Sequence, residues 1–223
     1  MEPSITTRNE FLQRYWKYYL MLEKDFLGTE QYLAIDELNF RAYSNEYIKQ
    51  YQAICSEIDV VAKPYCKELN SNFKGNKISA YCKCITDIYL DFANRRVNLQ
   101  KREISIFPWK NWSYTTELQS NGKEKVISNS PDWWQIYNKI KHNRTTVSNE
   151  MQLPYYKLAN QKNVLHSLAA LFQLELYYFR TLQQTYFPTD TDMPDSPSKL
   201  FTIEDWGNSW VVLDSGLSLQ IKW

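Results

Sequence analysis

Apolar residues recur at steps of three and four along most of the chain, which is the spacing of one helix face. The first such stripe predicts a helix from Arg8 to about Gly28, and its apolar residues are Phe11, Tyr15, Tyr18, Leu22 and Phe26. The second predicts a helix that begins at Ser44, a good N-cap residue, and ends near Leu69. Pro64 is expected to kink or divide that second helix, because proline lacks the amide hydrogen that a helix interior uses.

Two further stripes occur later in the chain. One predicts a helix from Ile78 to Ala93, with Ile78, Ile88 and Phe92 among its inward residues. The other runs from about Leu158 to Tyr186 and has the widest apolar face of all. That width is typical of the most buried helix of a bundle.

Short segments with strand-like alternation lie between and after these helices. Residues 103–107 predict one strand, and Val126-Ile127 predicts another beyond the turn signal Asn121-Gly122. Residues 210–213 and 217–223 predict a terminal hairpin, and the Pro- and Asp-rich residues 188–199 before it are typical of a linker. We expect the 103–127 segment and the C-terminus to pair with each other.

Together these elements predict a mainly α fold, a four- to five-helix up-and-down bundle with a small β decoration. The predicted helical domain spans residues 1–187 and contains a β and loop insertion at about 103–129. Residues 188–223 form the predicted linker and hairpin appendage.

Composition narrows the class of protein. A net charge of +1 gives no overall attraction to nucleic acid or membrane, so any contact with RNA requires a local patch. The N-terminal residues lack the apolar core of a signal peptide, and no stretch approaches the roughly 18 apolar residues of a membrane span. We therefore expect a cytoplasmic protein with no membrane contact.

Four cysteines and two histidines fit that expectation. Neither His142 nor His166 lies at metal-ligand spacing from a cysteine, so no metal or other cofactor is predicted and buried, reduced thiols are expected. Asp87 and Asp91 lie one turn apart and could bind Mg²⁺, but the ordinary ion pair between Asp91 and Arg95 is the better interpretation.

The segment from Ser130 to Arg144 is the densest group of potential acid–base and phosphate-binding side chains. Ser130 suits an N-cap and Pro131 the first helical position. Asn138 and His142 are four residues apart and share a helix face. The apolar side is predicted to consist of Trp133, Tyr137 and Ile140, and positive charge comes from Lys139, Lys141 and Arg144.

These side chains favour metal-independent cleavage of RNA, in which the 2′-hydroxyl attacks the neighbouring phosphorus. An imidazole can exchange a proton near neutral pH, and a guanidinium can bind phosphate. His142 is therefore the candidate general acid and base, Arg144 the phosphate contact, and Asn138 the residue that orients one of them. Lys139 and Lys141 are candidate nucleic-acid contacts. A structural or bystander histidine is the alternative.

Two residues outside this segment are candidates to support the site. Glu57 lies in or beside the inward stripe of its helix and needs a partner there, for which Arg144 or His142 is suitable. The alternative is a glutamate at the rim that reaches solvent. Asn160 is in register with Val164 and either faces the central helix or simply caps its own.

The segment Tyr137-Asn138-Lys139-Ile140-Lys141-His142 resembles the short motif of HEPN domains, helical bundles common in bacterial toxins and antiviral systems. That motif consists of an arginine, a polar residue that is often Asn, three further residues and a histidine. Asn138 and His142 match, and Tyr137 occupies the arginine position. Residues 134–144 and the helix over residues 160–172 also resemble uncharacterised bacterial HEPN-like proteins.

The resemblance implies an endoribonuclease of a toxin or antiviral-defence type, with Tyr137 beside the catalytic residues. It also implies a homodimer, because two copies of the motif usually meet across a dimer, and a cognate antitoxin or regulatory protein as a further partner. Tyr137 cannot carry the positive charge of arginine. This departure favours the alternative of a non-catalytic HEPN-like module that binds a protein partner or a nucleotide.

Overall fold

The structure is a computed structural model that describes residues 8–120, 122, 124–149, 151–186, 193–204, 206, 208–212 and 218–222. At residue 186 and in the last two ranges only the backbone is described. Within these residues the chain is mainly α, as the periodicity predicts, with small antiparallel sheets. The predicted domain division and the up-and-down topology stay predictions.

The first helical run contains a π-helical turn. Helix α1 (Arg8–Phe11) passes through π-helical residues 12–16 into α2 (Lys17–Gly28). A π turn holds an extra residue, so it rotates the next residues of the chain about the helix axis. As a result Tyr19 faces the core, whereas Tyr18, on the predicted stripe, is exposed.

Helix α3 (Asn45–Leu69) runs unbroken through Pro64, so the predicted division is absent. The hydroxyl of Ser44 accepts a hydrogen bond from the Tyr47 amide at 3.0 Å, which confirms the predicted N-cap. The carbonyl that Pro64 leaves without an intrahelical donor belongs to Val60, which lies on the exposed side of the helix. Water can therefore replace the missing bond.

Helix α4 (Ile78–Thr86) ends seven residues before the predicted boundary at Ala93. The amides of Ile88 and Tyr89 both donate to the carbonyl of Ile85, which closes the helix. Ile88 is consequently exposed rather than inward, while Phe92 is buried as predicted.

The two remaining helices are α5 (Asp132–Asn143) and α6 (Gln161–Tyr186). A 3₁₀ turn over residues 155–158 lies between them. All side chains from Leu168 to Phe179 are buried, which confirms that the widest apolar stripe belongs to the most buried helix. Helix α6 packs most extensively against α3.

The strands of the described residues form three small antiparallel sheets. One has the order β2 (Ser105–Ile106), β1 (Val97–Leu99) and β5 (Phe201–Ile203), with Val97 opposite both Ile106 and Ile203. The 103–127 segment and the C-terminus therefore share a sheet, but β1, which periodicity missed, lies between them. The other two sheets are hairpins of β3 (Ser113–Leu118) with β4 (Glu124–Asn129), and of β6 (Asn208–Val212) with β7 (Ser218–Lys222).

Part of the predicted linker packs against the helices. Within the described residues 193–199, Met193 and Ser198 are buried, and the indole of Trp16 donates to the carbonyl of Ser196 at 2.7 Å. Residues 188–192 lie outside the described residues. The stretch from 193 onward thus leads directly into β5.

Candidate functional site

Helix α5 is anchored by its N-terminal half. Trp133, Trp134, Tyr137 and Ile140 are buried, which confirms the predicted apolar side. The indole N–H of Trp133 donates to the carbonyl of Pro108 at 2.6 Å, and the hydroxyl of Tyr51 donates to the carbonyl of Trp133. These contacts fix the direction in which the C-terminal half of α5 projects.

The start of α5 differs from the prediction by one residue. Pro131 is the N-cap, because its extended ψ of 148° precedes the helix, and no side chain caps the helix. Ser130 instead accepts a hydrogen bond at its backbone carbonyl from the Gln135 side-chain amide at 2.8 Å. Proline's fixed φ favours this arrangement.

His142 lies in the last turn of α5 and is exposed. Its side chain has no hydrogen bond or ion pair within the described part of the chain. An imidazole placed in this way is open to water and to a substrate, and it is not a satisfied core histidine.

Arg144 is the C-cap of α5, and its side chain is also exposed. Its backbone carbonyl accepts from the Tyr156 amide at 3.0 Å, which ties the helix end to the following 3₁₀ turn. Two residues correspond to about 200° of helical rotation. Arg144 and His142 therefore leave the same helix end on different sides.

Asn138 is half-buried, and its side-chain amide donates to the carbonyl of Trp134 at 3.1 Å. It lines a cavity of about 530 Å³ between α3, α4, β4 and α5. Asp59, Lys77 and Lys125 line the same cavity, whereas His142 does not. Asn138 and His142 share a helix face, but only Asn138 faces this cavity.

Tyr137, at the position of the motif arginine, belongs to the core. Its ring packs at 62° to that of Tyr51, with the centroids 6.2 Å apart, and against Trp134. Burial raises the pKa of Tyr137 to about 12. The side chain is neutral and supplies no charge to the site.

Cationic side chains lie close to aromatic rings around the C-terminal end of α5. The Lys139 ammonium lies 5.7 Å from the ring centroid of Tyr155, and the Lys157 ammonium lies 5.5 Å from that of Tyr43. The rings of Tyr43 and Tyr156 are also in contact. We define the basic–aromatic surface as Lys139, Lys141, His142, Arg144, Lys157, Tyr43, Tyr155 and Tyr156.

The cations of this surface, Lys139, Lys141, Arg144 and Lys157, form no ion pair with any residue that the structure describes. Residues 139–166 contain five lysine and arginine residues and one glutamate, which is a formal charge of +4 against +1 for the whole chain. This segregation is visible in the sequence, but the contribution of residues 155–157 depends on how the loop folds back.

Glu57 does not have the partner expected for it. It is half-buried and makes no hydrogen bond or ion pair with another described residue, so the expected contact with Arg144 or His142 is wrong. Burial raises its pKa to about 7, and its charge acts on Glu175 of α6. On α3 it is Asp59 whose carboxylate senses a cation of α5, Lys141, although burial raises the pKa of Asp59 overall.

Glu175 is a buried carboxyl group that sequence reasoning missed. The residue is fully buried, and neither carboxyl oxygen has a hydrogen-bond partner among the residues described. Burial, and next the charge of Glu57, raise its pKa well above the ordinary value. Burial therefore favours the neutral form of Glu175. The only signal in the sequence is an acidic residue inside the apolar run of α6.

Asn160 acts as a cap. Its side-chain oxygen accepts from the Asn163 amide at 3.0 Å, at the start of α6. The other histidine, His166, is half-buried, and burial followed by the charge of Lys162 lowers its pKa to about 4. It is neutral near pH 7, and His142 is the histidine that solvent reaches freely.

The candidate magnesium carboxylates have other partners. Asp87 accepts from Lys83 at 3.0 Å and from the Tyr114 hydroxyl, and Asp91 pairs with Arg95. Among the described residues no group of three or more His, Cys, Asp or Glu side chains could hold a metal ion. Within the same residues, no helix has the length and apolar character needed to cross a membrane.

No protein-family model, curated protein or solved structure matches this chain.

Proposed function

We propose that this chain is a HEPN-like bundle protein that cleaves RNA without a metal ion, in a toxin or antiviral-defence setting. The observation that carries the proposal is the exposed imidazole of His142, unpaired among the described residues, within the basic–aromatic surface. Cationic side chains next to aromatic rings suit single-stranded RNA, since phosphates bind the cations and bases stack on the rings.

His142 is the proposed general base and acid. It accepts the proton of a ribose 2′-hydroxyl as that oxygen attacks the adjacent phosphorus, and it returns a proton to the leaving 5′-oxygen. Such transfers typically contribute about 100- to 10,000-fold to a rate. DNA is excluded as a substrate because it has no 2′-hydroxyl.

Positive charge at the phosphate comes from the end of α5 rather than from the motif position. Tyr137 is buried and neutral. Arg144 is the proposed contact to the phosphoryl oxygens, with Lys139 and Lys141 on the flanking phosphates. Arg144 projects from a different side of the helix end than His142, so the scissile phosphate must lie across that end.

The experiment is cleavage of a single-stranded RNA by the purified chain in the presence of EDTA. We expect His142→Ala to reduce the cleavage rate about 100-fold or more, because the proton-transfer group is lost. Asn143→Ala is the matched control, since Asn143 is an exposed neighbour on the same turn. It should cut at the wild-type rate.

Equal cleavage by the wild type and the His142 variant contradicts the catalytic role, as does the absence of any cleavage. Circular dichroism and thermal melting of both variants show whether the fold is kept. Since the His142 side chain is exposed, we expect no loss of stability.

A second candidate is a non-catalytic HEPN-like module that binds a nucleotide or a protein, such as a cognate antitoxin. The observation that favours it is that Tyr137 and Asn138 are engaged within the protein, by core packing and by the Trp134 carbonyl. This candidate predicts RNA or nucleotide binding that is retained in His142→Ala, with no cleavage by either protein. The homodimer is likewise a proposal, and the mass of the protein in solution tests it.

A further inference from the structure

Two of the four cysteines lie where α3 and α4 contact each other, and one of these two is only half-buried. Cys66 lies near the end of α3, and Cys84 lies on the facing helix α4. The Cys84 thiol donates to the backbone carbonyl of Cys66 at a distance of 3.6 Å. The two thiol groups also influence each other's pKa. Cys66 and Cys84 are therefore neighbours across the contact between α3 and α4.

Of the two cysteines, Cys84 is the accessible one. Cys66 is fully buried, whereas Cys84 is half-buried and lines a surface cavity of about 610 Å³. The cavity is also lined by Leu69, Phe73, Lys83, Asp87 and Ile88. A small oxidant can thus reach Cys84 directly, while Cys66 can be reached only through it.

The acidity of the two thiols differs in the same sense. The interaction with Cys66 lowers the pKa of Cys84, while burial raises the pKa of Cys66 far above the ordinary value. Thiolate character and exposure both determine how readily a cysteine is oxidised. Both properties select Cys84.

We propose that Cys84 is a hydroperoxide-sensitive site and that Cys66 is its resolving cysteine. The Cys84 thiolate attacks the outer oxygen of the hydroperoxide, and the O–O bond breaks. The sulfur is oxidised to sulfenic acid, and the peroxide is reduced to an alkoxide or hydroxide that takes up a proton. The Cys66 sulfur then attacks the Cys84 sulfur, an S–S bond forms, and hydroxide leaves with the Cys66 proton as water.

Cys55 and Cys82 provide internal controls. Both are fully buried. Burial raises the pKa of Cys82 to about 12 and that of Cys55 well above its ordinary value. Neither is expected to react while the protein is folded.

The test treats the folded, fully reduced chain with hydrogen peroxide, quenches the peroxide with catalase and counts thiols after denaturation. We expect the titratable thiols to fall from four to two, starting from the four cysteines of the sequence. Peptide mapping under non-reducing conditions should show Cys66 joined to Cys84 within one chain. This measurement needs no variant and so does not depend on whether a variant folds.

Two variants refine the test. Cys84→Ser should keep all three of its thiols, and Cys66→Ser should accumulate a sulfenic acid at Cys84 that dimedone traps. Cys82→Ser is the matched control and should still form the disulfide. The proposal is overturned if four thiols remain in the wild type, if Cys55 or Cys82 is oxidised instead, or if Cys84 bridges two chains.

Discussion

Charged groups form ion pairs in one region of the fold and remain unpaired in another. Around the sheet of β2, β1 and β5 they are paired: Nε of Arg96 lies 3.3 Å from a carboxylate oxygen of Glu204, and Arg102 pairs with Glu30. Each of these pairs joins residues far apart in sequence. The basic–aromatic surface, in contrast, has four cations without an ion pair among the described residues.

Glu23 is a charged residue that the C-terminal segment satisfies through hydrogen bonds. It is buried, and its carboxylate accepts from the Tyr19 hydroxyl at 2.7 Å, from the Ser198 hydroxyl, and from the Lys199 and Leu200 amides at 3.0 and 3.1 Å. A buried carboxylate is tolerated when its oxygens are satisfied in this way. Charged groups around the β2–β1–β5 sheet and the C-terminal segment thus hold the chain together. The cations of the basic–aromatic surface remain available to a partner.

Removing the Glu23 carboxylate should have the largest effect. Glu23→Ala leaves the Ser198 hydroxyl and the Lys199 amide without their acceptor, and we expect a loss of about 3–5 kcal/mol in the free energy of unfolding. Chemical denaturation measures this loss. Glu37→Ala, which removes an exposed carboxylate, should cost less than about 0.5 kcal/mol. Similar stabilities of the two variants would show that the C-terminal segment is not held by this residue.

Neutralising the basic–aromatic surface should weaken RNA binding rather than lower stability. The triple variant Lys139→Ala, Lys141→Ala, Arg144→Ala should bind single-stranded RNA about 100-fold more weakly, since each exposed charge near a phosphate is worth about 1 kcal/mol. The slope of log K against log salt should fall by about 2. Titrations at several salt concentrations measure both quantities.

The matched control for that variant removes the same charge elsewhere. Lys17→Ala, Lys63→Ala, Lys67→Ala neutralises three exposed lysines of α2 and α3. It should leave the salt slope unchanged. If both triple variants weaken RNA binding equally, the contact with RNA is spread over the protein and the basic–aromatic surface has no special role.

A substitution at Glu57 should change the stability of the core but not the activity of the candidate site. The folded pKa is raised to about 7 from an ordinary value of 4.5, so its contribution to stability is complete below about pH 4.5 and is lost as the pH rises to about 7. Glu57→Gln should therefore match the wild type at pH 4.5 and be more stable by about 1 kcal/mol above pH 7, after allowance for solvent screening. Urea unfolding at both pH values measures the difference.

The same variant should leave RNA cleavage unchanged, because the charge of Glu57 acts on Glu175 and Glu57 has no hydrogen bond or ion pair with the basic–aromatic surface among the described residues. A loss of cleavage in Glu57→Gln would restore the expected contact between Glu57 and His142 or Arg144.

The smallest effect is expected at the ion pair between Arg102 and Glu30. Arg102→Ala should cost about 0.5 kcal/mol of stability, since partly exposed pairs contribute little. RNA affinity should stay within about twofold of the wild type. A decrease comparable to that of the triple α5 variant would mean that paired and unpaired cations contribute alike.

The helices were predictable because each buries one face, and the spacing of apolar residues reports that face directly. The exceptions have local causes. The π turn before Lys17 rotates Tyr18 out of the core, and the bonds to the Ile85 carbonyl end α4 early. Neither the π turn nor the early end of α4 changes the spacing of apolar residues in the sequence, so that spacing could not predict them.

The candidate site was predictable only in part. Helix α5 and the positions of its side chains follow from the sequence, and so does the burial of Tyr137. The location of Glu57 beside Glu175 does not, because it depends on how α3 and α6 are rotated against each other. The arrival of Tyr155 and Lys157 next to α5 likewise depends on the fold of the connecting loop.

The most direct test of the central claim, that His142 promotes attack by the 2′-hydroxyl of the RNA itself, uses an RNA with one 2′-deoxy nucleotide at a cut site and analyses the ends produced. We expect 2′,3′-cyclic phosphate and 5′-hydroxyl ends at the ribose linkages and no cut after the deoxy nucleotide, in EDTA as well as without it. Ends bearing a 3′-hydroxyl, or cleavage after the deoxy nucleotide, would contradict the account.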